Sequence, residues 1–480
     1  MKTKSKKPNI IFISIDALRP RNLGCYGYEQ NTSPNIDLLA KQGVLFENHF
    51  SSYNVSNKSF LSVLGGRHIL GEDLEHYPSK NEMKSFFDTG GVLLSEILQN
   101  QGYKTHFLWK AFGWQKRGFD YYFKKDAQEK SKKWDLIRFL KKIPFLYKIP
   151  KYILHNFYFI PKKLESKMRY SNDGEMITEE AIKIIKQNKE NNFFMWLHHT
   201  DTHVPHMFPY SFNEKFVPIE KGKKIFEILN SKGGHSKRDI EILKACWKVN
   251  DTVGEIISKY DTAIYYDDYL VGKIIDTVKE EDLLDDTIIF IFADHGESLG
   301  EHELYFTHEG VYDVTFNLPL IITGKGIPKN KKIKALTKLE DFAPTILDLI
   351  NVKYNPDLFD GKSLLPLIFG EKKEIRKSIL MEEYVAGLKR KGIRTKKYKY
   401  VESLEKEYST CLLCNTSHGD KVGLYDLEKD PDENINLAKK NKKLLIEMKL
   451  MLNRKIRDLK TMNEKRKIKT FINRIKHSKK

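Results

Sequence analysis

The sequence predicts an α/β protein built on a doubly wound, mostly parallel sheet, with a smaller α+β subdomain towards its C-terminal end. Three observations carry this reading. Short, continuous apolar runs such as NIIFISI at Asn9–Ile15, NFFMWLH at Asn192–His198 and TIIFIFA at Thr287–Ala293 suit strands buried on both faces. Helical patterns separate these runs, as crossover connections require. Polar, chemistry-bearing residues follow the strand ends at once, where open α/β sheets place their sites.

Taken in order, Asn9–Ile15 is the first strand. Ser33-Pro34 opens a helix expected to run through Leu45, with Pro34 in its first turn and Gly43 near its end. Leu61–Leu64 continues a helical pattern after the Ser/Asn-rich loop Ser51–Ser59. Val92–Gln101 reads as a helix, Thr105–Trp109 as a strand, 178–188 as a helix and Asn192–His198 as a buried strand. Tyr260–Glu280 is a long amphipathic helix, followed by strands at Thr287–Ala293 and Leu318–Thr323. After about residue 335 the texture changes. Asp341–Leu349 is a short helix, and Ser378–Glu383, Gly392–Thr395, Lys399–Val401 and Gly423–Leu427 read as antiparallel strands. Residues 439–480 place Leu444, Leu445, Met448, Leu452, Ile456 and Leu459 at helical spacing among lysines, a basic amphipathic helix with a frayed tail. The expected organisation is an α/β domain over 8–335 carrying a basic, aromatic insertion at 110–175, an α+β subdomain over 336–438, and the basic helix and tail over 439–480.

The 480 residues are 40% hydrophobic and 12% aromatic, which excludes wholesale disorder. No apolar run approaches the roughly 20 residues of a bilayer span. The basic start Met1–Pro8 runs straight into the first strand, leaving no room for a secretory apolar region. The expectation is a cytoplasmic protein. Net charge is +19 but uneven: 17 Lys/Arg against 5 Asp/Glu in 110–169, and 17 against 3 in 439–480, on a mildly acidic body. Such blocks suit an anionic partner. The interleaved Trp134, Phe139, Phe145, tyrosines and lysines of 131–165 suit equally a lid packed on the body or a peripheral membrane contact, which for a cytoplasmic protein is with the inner membrane face. A Lys-rich tail with no recognition motif gives no reason to expect specific nucleic-acid binding. Four cysteines, Cys25, Cys246, Cys411 and Cys414, make no disulfide framework. Cys411-x-x-Cys414 is half a zinc site or a redox pair; without a second pair at zinc spacing, two small thiols in a loop is the simpler reading.

Three motifs carry chemistry. Asp16 directly follows the first strand, as a metal ligand or a helix cap. Asp294-His295-Gly296 ends the third apolar run; both side chains can reach one cation if the backbone turns sharply, and Gly296 permits that turn. His198, His199, His203 and His206 crowd nine residues after a buried strand, a density that points to a cleft and an anion. A divalent metal held by Asp16, Asp294 and His295 is the inference. Ser56, ahead of an apolar helix, is the candidate nucleophile, at a helix N-terminus that favours anions; the alternative is a simple helix cap.

The run PNIIFISIDALRPRNLGCYGYEQNTSPNIDLLAKQGVLFENHFSS resembles the opening of sulfatases within the alkaline phosphatase superfamily. The likeness continues through Leu197–Pro205, YDTAIYYDDYLVGKIIDTVKEEDLLDDTIIFIFADHGESLGEH, NLPLIITGKG, EDFAPTILDLI, DGKSLLPLI, GIRTKKYKYV and GLYDLEKDPDENINLA. It covers nearly all of the chain to Leu437 except 110–175, about 205–255 and the tail. It implies an alkaline-phosphatase-like fold and one divalent ion, usually calcium in sulfatases and manganese, magnesium or zinc in phosphotransferase relatives. By that resemblance Asp16, Asp294 and His295 match metal ligands, with Ser56 at the nucleophile, also on the metal. His203 matches a histidine at the leaving group, and His308 falls where the family puts a Lys or His on the anion.

Two departures stand out. Ala17 occupies a position that is aspartate in many sulfatases. The nucleophile signature, Cys or Ser with Pro or Ala two residues on and Arg four residues on, here reads Ser56-Asn57-Lys58-Ser59-Phe60. Lys58 and Phe60 replace both recognition residues, which argues against conversion of Ser56 to formylglycine; Lys58 is a candidate to take over anion binding. The leading expectation is a metal-dependent sulfate ester hydrolase acting through Ser56 on an anionic glycan or lipid ester. An unmodified hydroxyl at a metal also resembles phosphoglycerol and phosphoethanolamine transferases, so a phosphotransferase or phosphodiesterase is the second reading. A catalytically inactive protein binding anionic glycan or membrane is the third.

Overall fold

The computed structural model describes residues 7–70, 80–109, 113–123, 173–212, 215–231, 235–384, 388–404, 411, 413 and 418–478. Residues 124–172 of the basic insertion, and Cys414, lie outside the described residues.

The main sheet has eight strands. Across it they run Lys331–Ile333, Gly43–Phe46, Leu320–Gly324, Thr287–Phe292, Asn9–Ile15, Phe193–His199, Lys104–Leu108 and Tyr121–Tyr122. Only Leu320–Gly324 runs antiparallel to its neighbours; the other pairings are parallel. The sheet is therefore the mostly parallel one expected. Every residue of Asn9–Ile15, Phe193–His199 and Thr287–Phe292 is buried, as an apolar run covered on both faces requires. Phe12 sits at the aromatic centre. Its ring centroid lies 4.9 Å from Phe290, 5.2 Å from Phe194 and 5.6 Å from Phe342. Truncating such a side chain costs about 3–5 kcal/mol.

The helix expected over Pro34–Leu45 stops at Lys41, and Gly43–Phe46 is a strand. The helical face Ile36, Leu39 and Ala40 is complete by then, and a short apolar run fits either periodicity. Gly43 is there because the strands approach closely: a Cβ would lie 2.3 Å from the Ile322 carbonyl oxygen. The change of texture near residue 335 is no break in packing either. Phe342, Ala343, Ile346 and Leu347 of the helix Phe342–Leu349, and then Leu364, Leu367 and Ile368, belong to the same core as the main sheet.

A second sheet of four antiparallel strands, Ile379–Glu383, Arg390–Arg394, Tyr398–Ser403 and Val422–Asp426, closes the chain. The strand period of two splits its side chains between two faces. Ile379, Met381 and Val401 meet Phe50, Val311, Phe316 and Leu336 of the larger body. Leu380, Ile393, Tyr400 and Leu424 meet Met448, Leu452 and Leu459 of the helix Lys442–Ser478. The apolar stripe of the basic helix is thus used inside the molecule. Further along, Arg466 binds the Asp360 carboxylate at 2.9 Å and the Asp357 carbonyl at 2.7 Å, tying the helix to the larger body. Among the described residues no helix is long and apolar enough to cross a membrane.

Candidate active site

The site lies where the central parallel strands end. The register pairs Ser14 with His198 on one side and Phe292 on the other, so Asp16 and Asp294, two residues beyond each strand partner, emerge side by side. The chain turns sharply after Asp16: Ala17 has φ 55°, a left-handed conformation unusual for a residue with a Cβ. Its N–H reaches Asp294 Oδ1 at 3.4 Å, and its carbonyl accepts from the Tyr260 hydroxyl at 2.7 Å. Gly296 serves close approach, since a Cβ there would lie 2.2 Å from the Val314 carbonyl oxygen.

Asp16, Asp294 and His295 are buried, and one ligand atom from each lies within 4.8 Å of the other two. His295 Nε2 is 3.3 Å from Asp16 Oδ1 and 3.8 Å from Asp294 Oδ2. Its Nδ1 is 3.0 Å from the Gly296 carbonyl. A carbonyl only accepts, so Nδ1 donates to it and Nε2 faces the carboxylates. Asp16 Oδ1 and Asp294 Oδ2 are buried with no hydrogen-bond partner among the described atoms. Buried orphan oxygens beside an imidazole nitrogen form a donor set that suits a cation.

Ser56 Oγ is 3.3 Å from His295 Nε2. Ser56 opens the helix Ser56–Gly65, with Val55 at the N-cap and no side-chain cap bond. The hydroxyl is therefore not a helix cap; it meets the carboxylate–imidazole group at the positive end of the helix. Asn54 Nδ2 donates to the His308 carbonyl at 2.7 Å and so joins this loop to the next. The His308 ring centroid lies 4.6 Å from that of His295 and 6.3 Å from that of His203. His203 Nδ1 donates to the Val204 carbonyl at 2.8 Å, leaving Nε2 for the cleft.

Electrostatics follow from this crowding. Burial works to raise the Asp16 carboxyl, but the imidazoles of His203, His198 and His295 hold it well below the usual range. Burial works to lower His203, but Asp16 and Glu297 carry it above the ordinary imidazole value. Glu297, buried beside them, is pushed up to about 7, mainly by burial.

Not every residue singled out by sequence joins the group. Lys58 Nζ is 3.1 Å from Glu82 Oε1 and 4.2 Å from the centroid of the Tyr384 ring, held in the interior by a buried ion pair and a cation–π contact. The four histidines at the end of the strand Phe193–His199 and just beyond it divide. His199 contacts Thr178 and Asp267, and His206 stacks on Trp247, so both are structural. His198 was not distinguished within that cluster, yet its Nε2 is buried 3.5 Å from Asp16 Oδ2 and 4.0 Å from Asp294 Oδ2. Its other nitrogen lies 2.8 Å from Ser14 Oγ. Side-chain alternation on the strand was the available signal: residues at 198 and 196 share a face with Ser14, which takes both Trp196 and His198.

A sequence family described as Sulfatase matches residues 8–352. The chain belongs to the sulfatase family. A second profile, N-sulphoglucosamine sulphohydrolase, C-terminal, matches residues 300–462 and takes in the second sheet and part of the long helix. An N-acetylglucosamine-6-O-sulfatase of Bacteroides thetaiotaomicron is 24% identical over 92% of this chain and 86% of its own. A choline-sulfatase of Rhizobium meliloti is 27% identical over 90% of this chain and 82% of its own. Among solved structures, one described in complex with its substrate D-glucosamine-2-N,6-O-disulfate superposes with TM-score 0.68 at 19% identity, covering 95% of this chain and 99% of that one. A phosphonate monoester hydrolase of Agrobacterium radiobacter superposes with TM-score 0.65 at 17% identity, over 95% and 96%. The alkaline-phosphatase-like fold and the sulfuric ester hydrolase class expected of this sulfatase are thereby established, and a divalent metal is general in the family.

Proposed function

We propose that this sulfatase hydrolyses the sulfate ester of a sulfated glycan, with the plain Ser56 hydroxyl as nucleophile. One observation carries the assignment: Ser56 Oγ stands 3.3 Å from His295 Nε2, at the edge of the orphaned carboxylates of Asp16 and Asp294. Asp16, Asp294, His295 and the Ser56 oxygen are the residues that would hold the metal. Three of the four donors are oxygens, a mostly hard set that favours calcium, with manganese, magnesium and zinc as the alternatives that metal analysis separates. When bound, the ion supplies Lewis-acid polarisation and lowers the pKa of the hydroxyl.

The chain's own residues supply the rest. Ser56 Oγ releases its proton to solvent and attacks sulfur in line; the Oγ–S bond forms as the bond from sulfur to the ester oxygen breaks. His203 donates a proton from Nε2 to the leaving alcohol oxygen. His308 and the N-terminal amides of the Ser56–Gly65 helix face the charge on the non-bridging oxygens. Water then attacks sulfur and gives a proton to Ser56 Oγ as the Oγ–S bond breaks, sulfate leaves, and His203 takes up a proton from solvent. The glycan preference is supported by the sugar sulfatases among the relatives.

A second reading, phosphodiester cleavage, is favoured by Phe60. Where the family signature has arginine, Phe60 packs 4.9 Å from the rings of Trp196 and His198, so no guanidinium serves the nucleophile from that position. Turnover of 4-nitrophenyl sulfate and of bis(4-nitrophenyl) phosphate, each with wild type and Ser56→Ala, tests both readings. Sulfate turnover that disappears in Ser56→Ala supports the first. Phosphodiester turnover alone establishes the second. Retention of either activity in Ser56→Ala removes Ser56 as nucleophile. Peptide mass mapping across 51–67 checks that Ser56 is plain serine.

A further inference from the structure

A second group of metal-ligating side chains lies one residue beyond His308. Glu309 is fully buried, and its two carboxylate oxygens face two different donors. Cys411 Sγ is 3.3 Å from Oε1, and His418 Nε2 is 3.7 Å from Oε2. All three residues are buried, and one ligand atom from each lies within 4.8 Å of the other two. A tetrahedral ion with donor bonds of about 2.0–2.3 Å sets neighbouring donors about 3.3–3.8 Å apart. The 3.3 and 3.7 Å spacings fall in that range, each measured to its own Glu309 oxygen. Glu309 Oε2 is buried with no hydrogen-bond partner among the described atoms, an orphan acceptor aimed into the group.

The surroundings also call for positive charge. Glu383 is a second fully buried carboxylate in contact with this region, where its Oε1 accepts the Gly310 N–H at 2.5 Å. Burial, and then Glu383, push the Glu309 carboxyl up to about 8. Arg390 offsets part of this. Its guanidinium lies 3.6 Å from Glu383 Oε2 and also donates to the His418 carbonyl.

We propose that Glu309, Cys411 and His418 form a second metal site, distinct from the one at Ser56, that takes zinc. The donor chemistry makes the distinction. A thiolate, an imidazole and one carboxylate suit zinc, whereas calcium takes oxygens. Bound zinc fastens Cys411 and His418 to the backbone beside His308, whose carbonyl is already tied to Asn54. The site is a brace on the catalytic loop.

The test uses the full chain, stripped with EDTA and then loaded with zinc or cobalt(II) in the presence of excess calcium. Zinc per chain is read by mass spectrometry of the metal, and cobalt by its absorption. The expected result is one zinc per chain and a thiolate-to-cobalt charge-transfer band, both retained in Asp294→Asn. Cys411→Ser should abolish the band, and Cys411→Ser and Glu309→Gln should each weaken zinc binding by at least roughly tenfold, the least that loss of a direct ligand costs. Absence of the thiolate band in wild-type protein overturns the proposal without any variant needing to fold. So does zinc binding that disappears in Asp294→Asn but persists in Cys411→Ser. In either case Cys411 is a buried thiol hydrogen-bonded to a neutral Glu309.

Discussion

Glu382, on the first strand of the C-terminal sheet, donates its backbone N–H to the Ser52 carbonyl at 2.9 Å, four residues before Ser56. Tyr53 and Glu382 pair there as an isolated parallel bridge. The second sheet therefore sets the backbone that presents Ser56. Side chains extend the joint. His68 Nε2 lies 2.8 Å from Glu382 Oε2, and Lys391 Nζ 2.7 Å from Oε1. Ser52 donates to Glu340 at 2.6 Å, and Lys338 Nζ is 3.4 Å from the same oxygen.

Removing the imidazole from this joint leaves two buried carboxylates short of a partner. His68→Ala should destabilise the protein by about 3–5 kcal/mol, the usual cost of breaking a buried pair, read from urea unfolding. A loss below about 1 kcal/mol would show that the joint is not energetically coupled.

The same joint gives an acid dependence. Burial works to raise Glu382, but His68 and Lys391 hold it at about 2, against an ordinary 4.5. A depressed carboxylate contributes stability that is fully present above the unfolded value and fades as pH falls towards the folded one. The melting temperature should therefore drop between about pH 4.5 and 2, more steeply in wild type than in Glu382→Gln. Parallel curves would refute the coupling.

Ser56→Ala and Asp294→Asn should each leave less than roughly a tenth of wild-type turnover, because each removes a group at the reacting centre. Far-ultraviolet circular dichroism should be unchanged. Higher residual activity in either variant would break the site assignment.

Chelation with EGTA should abolish turnover, and added calcium should restore it. His198→Ala should weaken the activating cation by roughly 10–100-fold, the usual cost of losing a neighbour that orients ligands. Unaltered calcium dependence in that variant would make His198 a packing residue only.

Deleting residues 439–480 should make the protein insoluble, since the helix covers Leu380, Ile393, Tyr400 and Leu424. Liposome pelleting is then best read with the helix in place. A truncated chain that stays soluble and active would show that the sheet needs no cover.

The central strands and the acids at their ends were legible because a strand buried on both faces leaves an uninterrupted apolar run, and Asp16 and Asp294 follow such runs directly. Gly43–Phe46 was not: four residues hold too little periodicity to separate a strand from the end of a helix. Lys58 shows a second limit. Charge and proximity to Ser56 in sequence suggested anion binding, but its direction depends on Glu82, from another helix. The convergence of Glu309 with Cys411 and His418 was equally invisible, because it is made by segments about a hundred residues apart. For Cys411-x-x-Cys414, spacing alone favoured plain thiols.

On the proposed reading, the buried Ala17 bears on which esters suit the site. With no acid there, the carboxylates of Asp16 and Asp294 carry two negative charges, enough to neutralise one doubly charged cation. An incoming monoanion then leaves a single excess negative charge for His203 and His308 to share, whereas a dianion leaves two in a buried pocket. Sulfate monoesters and phosphate diesters are monoanions; phosphate monoesters are mostly dianions at neutral pH. On the proposed reading, a centre of that charge selects by ionic valence.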